Sequence, residues 1–380
     1  MEERSGVALY IHIPFCRAKC AYCDFTSYAG LDALHDEYVT ALVREMDLAE
    51  PFSVRTIYIG GGTPTVLPLS HFARIFQAVE RRFDTDTTSE ITVEANPGTV
   101  TQEKLSGLRA LGVNRLSLGV QSLIEGELRL LGRIHSAPEA IGAFRAARRA
   151  GFDNLSLDLI YGLPGQSLAS WRGSLQGALA LQPDHLSLYA LTVEEGTPLA
   201  ASIAQGQLPS PDPDLAADMY ELAQDLLSAA GFLHYEISNW AASPPRACRH
   251  NLTYWRNEPY LGLGAGAHSW LGQRRRSNLP APEAYMEQVR SGRQPVADDE
   301  AIDLETEMGE TMMLGLRLLH EGVDRQRFRA RFGLDLGMHY AAELRELAQL
   351  GLIVLSGRRV TLSPRGRLLG NQVFLRFVGG

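Results

Sequence analysis

The stretch "YIHIPFCRAKCAYCDF", residues 10–25, sets three of the chain's four cysteines, Cys16, Cys20 and Cys23, inside eight residues. An apolar run rich in isoleucine ends at Pro14, so the thiols fall on a turn just after a strand. The spacing CxxxCxxC differs from the paired CxxC of zinc ribbons and from plant-type ferredoxin runs, which supply a fourth cysteine downstream. Three thiolates hold three corners of a 4Fe-4S cube and leave one iron without a protein ligand, open to a small molecule. The bland alternative, three buried structural cysteines, leaves the crowding unexplained.

Outward from this turn, short β-branched or apolar runs alternate with amphipathic helical stretches. Strands are expected at 7–13, 56–59, 90–94, 115–119, 154–159 and 185–189, with helices such as 34–50 and 69–83 between them. Gly112 and Gly151 stand where a helix should stop before the next strand. Six βα units of this kind make an α/β fold with a parallel sheet. After "PSPDP" (209–213) the rhythm breaks into a helix at 215–230 and a further strand in "FLHYEISNWA". Residues 241–276, rich in Gly, Pro, Asn and aromatics, read as mostly loop. From 301 the pattern turns helical (305–319, 325–332, 337–350) and closes with two short β runs, 353–355 and 359–362, resembling a winged-helix module. The organisation expected is thus a barrel unit over 1–240, connecting loops over 241–300 and a small module over 301–380.

Ligand sites in such barrels gather at the C-terminal ends of the strands. "YIGGGTP" (58–64) follows the second strand, and its glycines let backbone groups approach a ligand where a Cβ would intrude. Glu94 ends the third strand, Gln121 follows the fourth and Asp158 lies in the fifth. Each alone is an ordinary cap or surface residue; four strand ends in succession favour one shared pocket.

These motifs resemble the radical S-adenosylmethionine (SAM) superfamily, in which SAM chelates the fourth iron through its amino and carboxylate groups and the reduced cube passes an electron to its sulfonium. The resemblance implies a partial (β/α)6, TIM-like barrel. It implies SAM contacts from Gly61, Gly62 and Thr63, with Glu94, Gln121 and Asp158, Arg133 in "LGRIHS", Tyr10 before the cluster and Tyr22 between its cysteines. Without it, Tyr10 is a strand aromatic and Arg133 a helix-face charge. His12 and His135 are given no role beyond structural hydrogen bonding.

Within the superfamily, "GGGTPTVL", "VEANPGT", "NRLSLGVQS", "LDLIYGLPGQ" and "YEISNWA" are similar to the branch of oxygen-independent coproporphyrinogen III oxidase and the HemW heme chaperones. In the oxidase the motif continues as CxxxCxxCxC and a long N-terminal arm precedes it. Here Asp24 and Phe25 follow Cys23, and fifteen residues precede Cys16. "RHNLTYW" (249–255) resembles instead the HNxxYW signature of the HemW family. A porphyrin site needs aromatic walls and an axial ligand, and His250, Tyr254 and Trp255 supply those types. A capped turn with two packed aromatics explains them equally well. Cys248 and His268 are weaker candidates for the iron. The resemblance implies a protein that binds heme, a 4Fe-4S cluster and SAM and passes heme to a client; a radical SAM oxidoreductase acting on a tetrapyrrole is the alternative.

The remaining features bound this expectation. No run of eighteen apolar residues occurs, and "MEERSGVALYIHIPFC" lacks the pattern of a secretory leader, so a cytoplasmic protein without a membrane span is expected. A net charge of −8 argues against nucleic acid as partner, since the short basic groups, such as Arg274 to Arg276, read as solvated faces.

Overall fold

The computed structural model describes residues 6–378, except the side chains of residues 86–88. The first five residues of the N-terminal run lie outside the described residues. Six strands form in the expected places: β1 (Val7–Ile13), β2 (Ser53–Gly61), β3 (Asp84–Ala95), β4 (Arg115–Gln121), β5 (Leu155–Tyr161) and β6 (His185–Ala190). Each pairs in parallel with the next. Parallel strands covered on both sides normally read as continuous apolar runs. These alternate instead, because only one face meets the helices. Ile57, Ile59, Val93, Leu116, Leu118, Leu157, Leu159, Leu186 and Leu188 share a core with Phe72, Phe144 and Trp171 of the helices. The register aligns the other face in polar rows: Glu94 opposite Ser117, Gly119 opposite Asp158, and Asp158 opposite Ser187.

Helices His35–Leu48, Leu69–Arg82, Gln102–Ala110, Ala137–Arg149 and Leu168–Ala180 cover the apolar face. Gly112 and Gly151 take left-handed φ of 95° and 87° just past two of them, ending each helix before the next strand.

The segment 241–276, expected as mostly loop, is ordered structure. "RHNLTYW" forms the helix Arg249–Trp255, and the sheet is extended by β7 (Leu233–Glu236), β8 (Asn239–Ala241), β9 (Tyr260–Leu263), β10 (His268–Leu271), β11 (Arg274–Asn278) and β12 (Val296–Ala301). The twelve strands lie in the order β12-β11-β10-β9-β1-β2-β3-β4-β5-β6-β8-β7, with β12 and β7 at the two ends of the sheet. The glycines that suggested loop make close contacts instead: a Cβ on Gly262 would meet the His268 backbone, and one on Gly264 would lie 2.5 Å from the His12 carbonyl oxygen. "FLHYEISNWA" likewise gives two antiparallel strands where one was expected.

A second hydrophobic cluster, with Met312, Leu316, Phe328, Tyr340, Leu347 and Val373, gathers the C-terminal helices on a three-stranded sheet of Val323–Asp324, Arg359–Leu362 and Ile353–Leu355. The helix expected over 337–350 is two pieces, Leu336–His339 and Ala341–Gln349, broken at Tyr340, whose ring packs edge-on against Phe377. Among the described residues no helix is long and apolar enough to cross a membrane.

Candidate functional site

The cysteine loop folds over the C-terminal ends of the strands and is pinned by backbone bonds. Gly62 N–H donates to Ile13 O (2.9 Å), Thr63 N–H to Phe15 O (2.8 Å), Ala21 N–H to Leu131 O (3.1 Å) and Leu199 N–H to Ala21 O (2.9 Å). Cys16 Sγ lies 3.5 Å from Thr63 Oγ1, Cys23 Sγ 3.8 Å from Ser27 Oγ, and Arg133 Nη1 donates to Cys20 Sγ at 3.2 Å. All three thiols line one cavity of about 440 Å³. Among the described residues no three His, Cys, Asp or Glu side chains are gathered as ligands of a single metal ion.

The glycines of "YIGGGTP" are spatial necessities here. A Cβ on Gly62 would lie 2.7 Å from Phe15 O and 3.0 Å from Cys16 Sγ, and one on Gly61, at φ 112°, would lie 2.5 Å from the His12 ring. With Thr63 they bring bare backbone to the cavity beside Cys16, the kind of cradle a SAM amino-acid end requires.

Of the other residues expected at a SAM site, Tyr22, Glu94, Gln121, Arg133 and Asp158 also line this cavity. Glu94 accepts from Tyr58 Oη (2.7 Å) and Gly61 N–H (3.1 Å), and burial pushes its carboxyl up to about 7 despite these bonds. Asp158 accepts from Ser117 and Ser156 at 3.0 and 3.1 Å, and burial raises it too. Burial likewise raises the Tyr22 phenol and the Cys16 thiol. Arg133 is held across the mouth by a 2.6 Å bond from Nη2 to Gly119 O. Gln121 takes a φ of 68° at an irregularity in the β4–β5 register. Left-handed backbone on a non-glycine residue costs free energy and is commonest at working sites.

Tyr10 departs from expectation. It is not on the cavity wall: its hydroxyl bonds His12 Nδ1 at 3.0 Å, and its ring stacks behind Tyr58. His12 in turn donates from Nε2 to Thr26 O at 2.8 Å, so its Nδ1 accepts from Tyr10. His12 and His135 both serve as buried struts; His135 reaches Asn96 and the Val120 carbonyl at 3.1 Å each.

The trio His250, Tyr254 and Trp255, expected to face a heme, also lies off the cavity. His250 is 1% exposed. Its Nδ1 bonds Thr56 Oγ1 and its Nε2 the Tyr254 hydroxyl, both at 2.9 Å, leaving no ring nitrogen free for iron. Burial, aided by the charge of Arg115, lowers it to about 3, so the ring is neutral. The first turn of its helix is anchored on Glu90, which accepts from Arg249 N–H (3.1 Å), His250 N–H (3.0 Å) and Cys248 Sγ (3.6 Å). Cys248 is wholly buried, and burial pushes it up to about 12, which makes it a structural thiol. Trp255 points the other way: the Arg317 guanidinium sits 4.3 Å from its ring centroid, and neighbouring Arg256 pairs with Glu321 at 2.8 Å. The signature thus ties the barrel floor to the C-terminal module. His268 is exposed on β10.

Several cavity residues escaped sequence reasoning: Tyr58, Arg115, Ser117, Ser187, Tyr189 and Asn251. The signal for most was present, since "RLSLGVQ" and "HLSLYA" alternate and place Arg115, Ser117, Ser187 and Tyr189 on the same face as the chosen residues.

Comparison with known proteins shows the family. The model of the radical SAM superfamily matches residues 10–176, and that of the HemN C-terminal domain matches residues 302–369. The chain is 40% identical to the heme chaperone HemW of Bacillus subtilis, over 97% of this chain and 98% of that protein. It is 36% identical to HemW of Lactococcus lactis, over 97% and 96%. The solved structure of coproporphyrinogen III oxidase (HemN) from Escherichia coli superposes with a TM-score of 0.84 at 24% identity, covering 98% of this chain and 90% of that one, which shows the fold. By these likenesses the chain belongs to the HemW family of the radical SAM superfamily.

Proposed function

We propose that this protein is a heme carrier: it binds heme, holds a 4Fe-4S cluster with SAM, and hands the heme to a client protein. The observation that carries this reading is family membership over nearly the whole chain, among relatives named heme chaperones. Asp24 and Phe25, where an oxidase of the same branch has a further cysteine, support it against the enzymatic alternative.

Cys16, Cys20 and Cys23 would hold the cluster. A cube on three thiolates offers its fourth iron to an exchangeable chelator such as SAM. The remaining roles belong to the chain. Gly61, Gly62 and Thr63 form a wall without side-chain bulk, and Glu94 presents an acceptor for the SAM ammonium. Arg133 offers a cation beside Cys20 for the SAM carboxylate, while Gln121, Asp158 and Tyr22 shape the walls. Tyr10 acts behind them, through Tyr58 and His12. Among the side chains weighed as heme ligands, His268 offers an exposed ring, whereas His250 and Cys248 are enclosed. Clustered free thiols fit a reducing, cytoplasmic compartment.

The test is transfer. Heme-loaded protein mixed with a heme-free acceptor hemoprotein should lose its heme band as the acceptor gains one. Incubation with SAM, a reductant and coproporphyrinogen III should yield no vinyl product; vinyl formation with release of deoxyadenosine would overturn the carrier reading.

A further inference from the structure

At the floor of the cavity, below the cysteine loop, lies a guanidinium without a hydrogen-bond partner among the described residues. Arg115 is 1% exposed, opens β4 and lines the cavity. Its Nε is buried with no hydrogen-bond acceptor, and none of its other N–H groups bonds a described residue. A guanidinium carries five donors, and leaving buried charged donors unsatisfied is among the costlier faults a fold can carry.

The acids nearby are already engaged. Glu90 receives Arg249 N–H, His250 N–H and Cys248 Sγ; Asp158 receives Ser117 and Ser156; Glu94 receives Tyr58 and Gly61. Burial opposes the charge of Arg115, yet a guanidinium stays protonated at ordinary pH, and the neighbouring Glu90 favours that charge. The charge persists while its side-chain donors meet no hydrogen-bond acceptor among the described residues. Asn251, the one residue of the HNxxYW signature that reaches the cavity, lines it too, and its helix is anchored on Glu90, a charged neighbour of Arg115.

We propose that Arg115 and Asn251 form a carboxylate-binding subsite at the floor of the cavity. The planar fork of arginine matches a carboxylate with two parallel bonds, and an amide N–H₂ adds a third donor. Asp158 and Glu94 on the walls select against a doubly charged anion such as phosphate. The signature then has a purpose that needs no iron ligation: Glu90, Thr56 and Tyr254 fix the helix, and the helix delivers Asn251. The carboxylate has two sources, a small free acid or the propionate arm of a tetrapyrrole. The second source rests on the heme-carrier reading.

The experiment uses the full chain with its cluster reconstituted, titrated with sodium propionate, with heme and with heme dimethyl ester. Wild type should bind propionate, and Arg115→Met should weaken that binding at least about tenfold with the cluster absorption unchanged. If the tetrapyrrole is the source, wild type should also prefer heme to its diester by a similar factor, and Arg115→Met should erase the preference. Propionate binding that depends on Arg115, without discrimination between heme and diester, assigns the subsite to small acids. Asn251→Asp, which places a like charge on the ligand, serves if the methionine variant fails to fold and should abolish binding equally. Neither a propionate nor a diester effect in either variant would leave only water on the floor and overturn the proposal. A wild type that binds no heme refutes the carrier reading, and the propionate titration then decides the subsite alone.

Discussion

Replacing His250 with alanine separates two accounts of the HNxxYW signature. In the fold the imidazole bridges Thr56 Oγ1 and the Tyr254 hydroxyl, 2.9 Å from each. Truncation removes two hydrogen bonds, each contributing about 1 kcal/mol net. Thr56 is 2% exposed and would be left without its partner, at a further cost of about 1–2 kcal/mol. Tyr254, half-buried, can recruit water. These losses sum to about 3–4 kcal/mol, and the void left by the ring adds to them. For a urea slope of about 3 kcal/mol per M, the unfolding midpoint of the cluster-free chain should fall by about 1 M. The heme absorption band of the folded variant should keep its position, because the ring does not ligate iron. An unchanged midpoint together with a shifted heme band would refute this reasoning and restore His250 as a ligand.

Other outcomes follow from the same geometry. Gly62→Ala puts a methyl 2.7 Å from Phe15 O and 3.0 Å from Cys16 Sγ, so the cysteine loop must shift. Overpacking of this kind costs about 1–3 kcal/mol, and bound iron should drop sharply; wild-type iron content and stability would show that the space exists. Cys20→Ser should lose most iron and sulfide, since a hydroxyl poorly replaces a soft thiolate, and a full cube in that variant would contradict its role. Glu94, held near 7 by burial, should ionise between about pH 6 and pH 8, so SAM binding should strengthen about tenfold across that interval and lose its pH dependence in Glu94→Gln. The same shift acts oppositely on the fold. A carboxyl raised from 4.5 contributes stability that is full below 4.5 and lost as pH rises through 7, so Glu94→Gln should gain stability relative to wild type above pH 7 in urea titrations.

The barrel was legible because short apolar or β-branched runs recur between amphipathic helical stretches, and helices end on glycines such as Gly112 and Gly151. Thiol spacing and the triple glycine placed the cavity for the same reason: both are local patterns. What escaped was long-range. Nothing local shows that His250 meets Thr56, 194 residues away, or that Glu90 caps the helix of "RHNLTYW". A His, Tyr and Trp in one loop suggested a porphyrin wall, whereas tertiary contacts made the first a buried bridge and turned Trp255 toward Arg317. Tyr10 was expected at the SAM site from the resemblance alone; its residues read only as a strand aromatic, and its hydroxyl meets His12 Nδ1 while its ring stacks on Tyr58. Glycine-rich 241–276 looked like loop because Gly serves both turns and close packing, and only contacts distinguish the two.

The most direct test of the account is electron paramagnetic resonance of the anaerobically reconstituted, reduced protein with and without SAM. The account predicts a 4Fe-4S signal whose g-values move when SAM is added, with no such move in a sample given only methionine-free adenosine. A signal indifferent to SAM, or a cluster whose four irons all carry ligands from this chain, would contradict it.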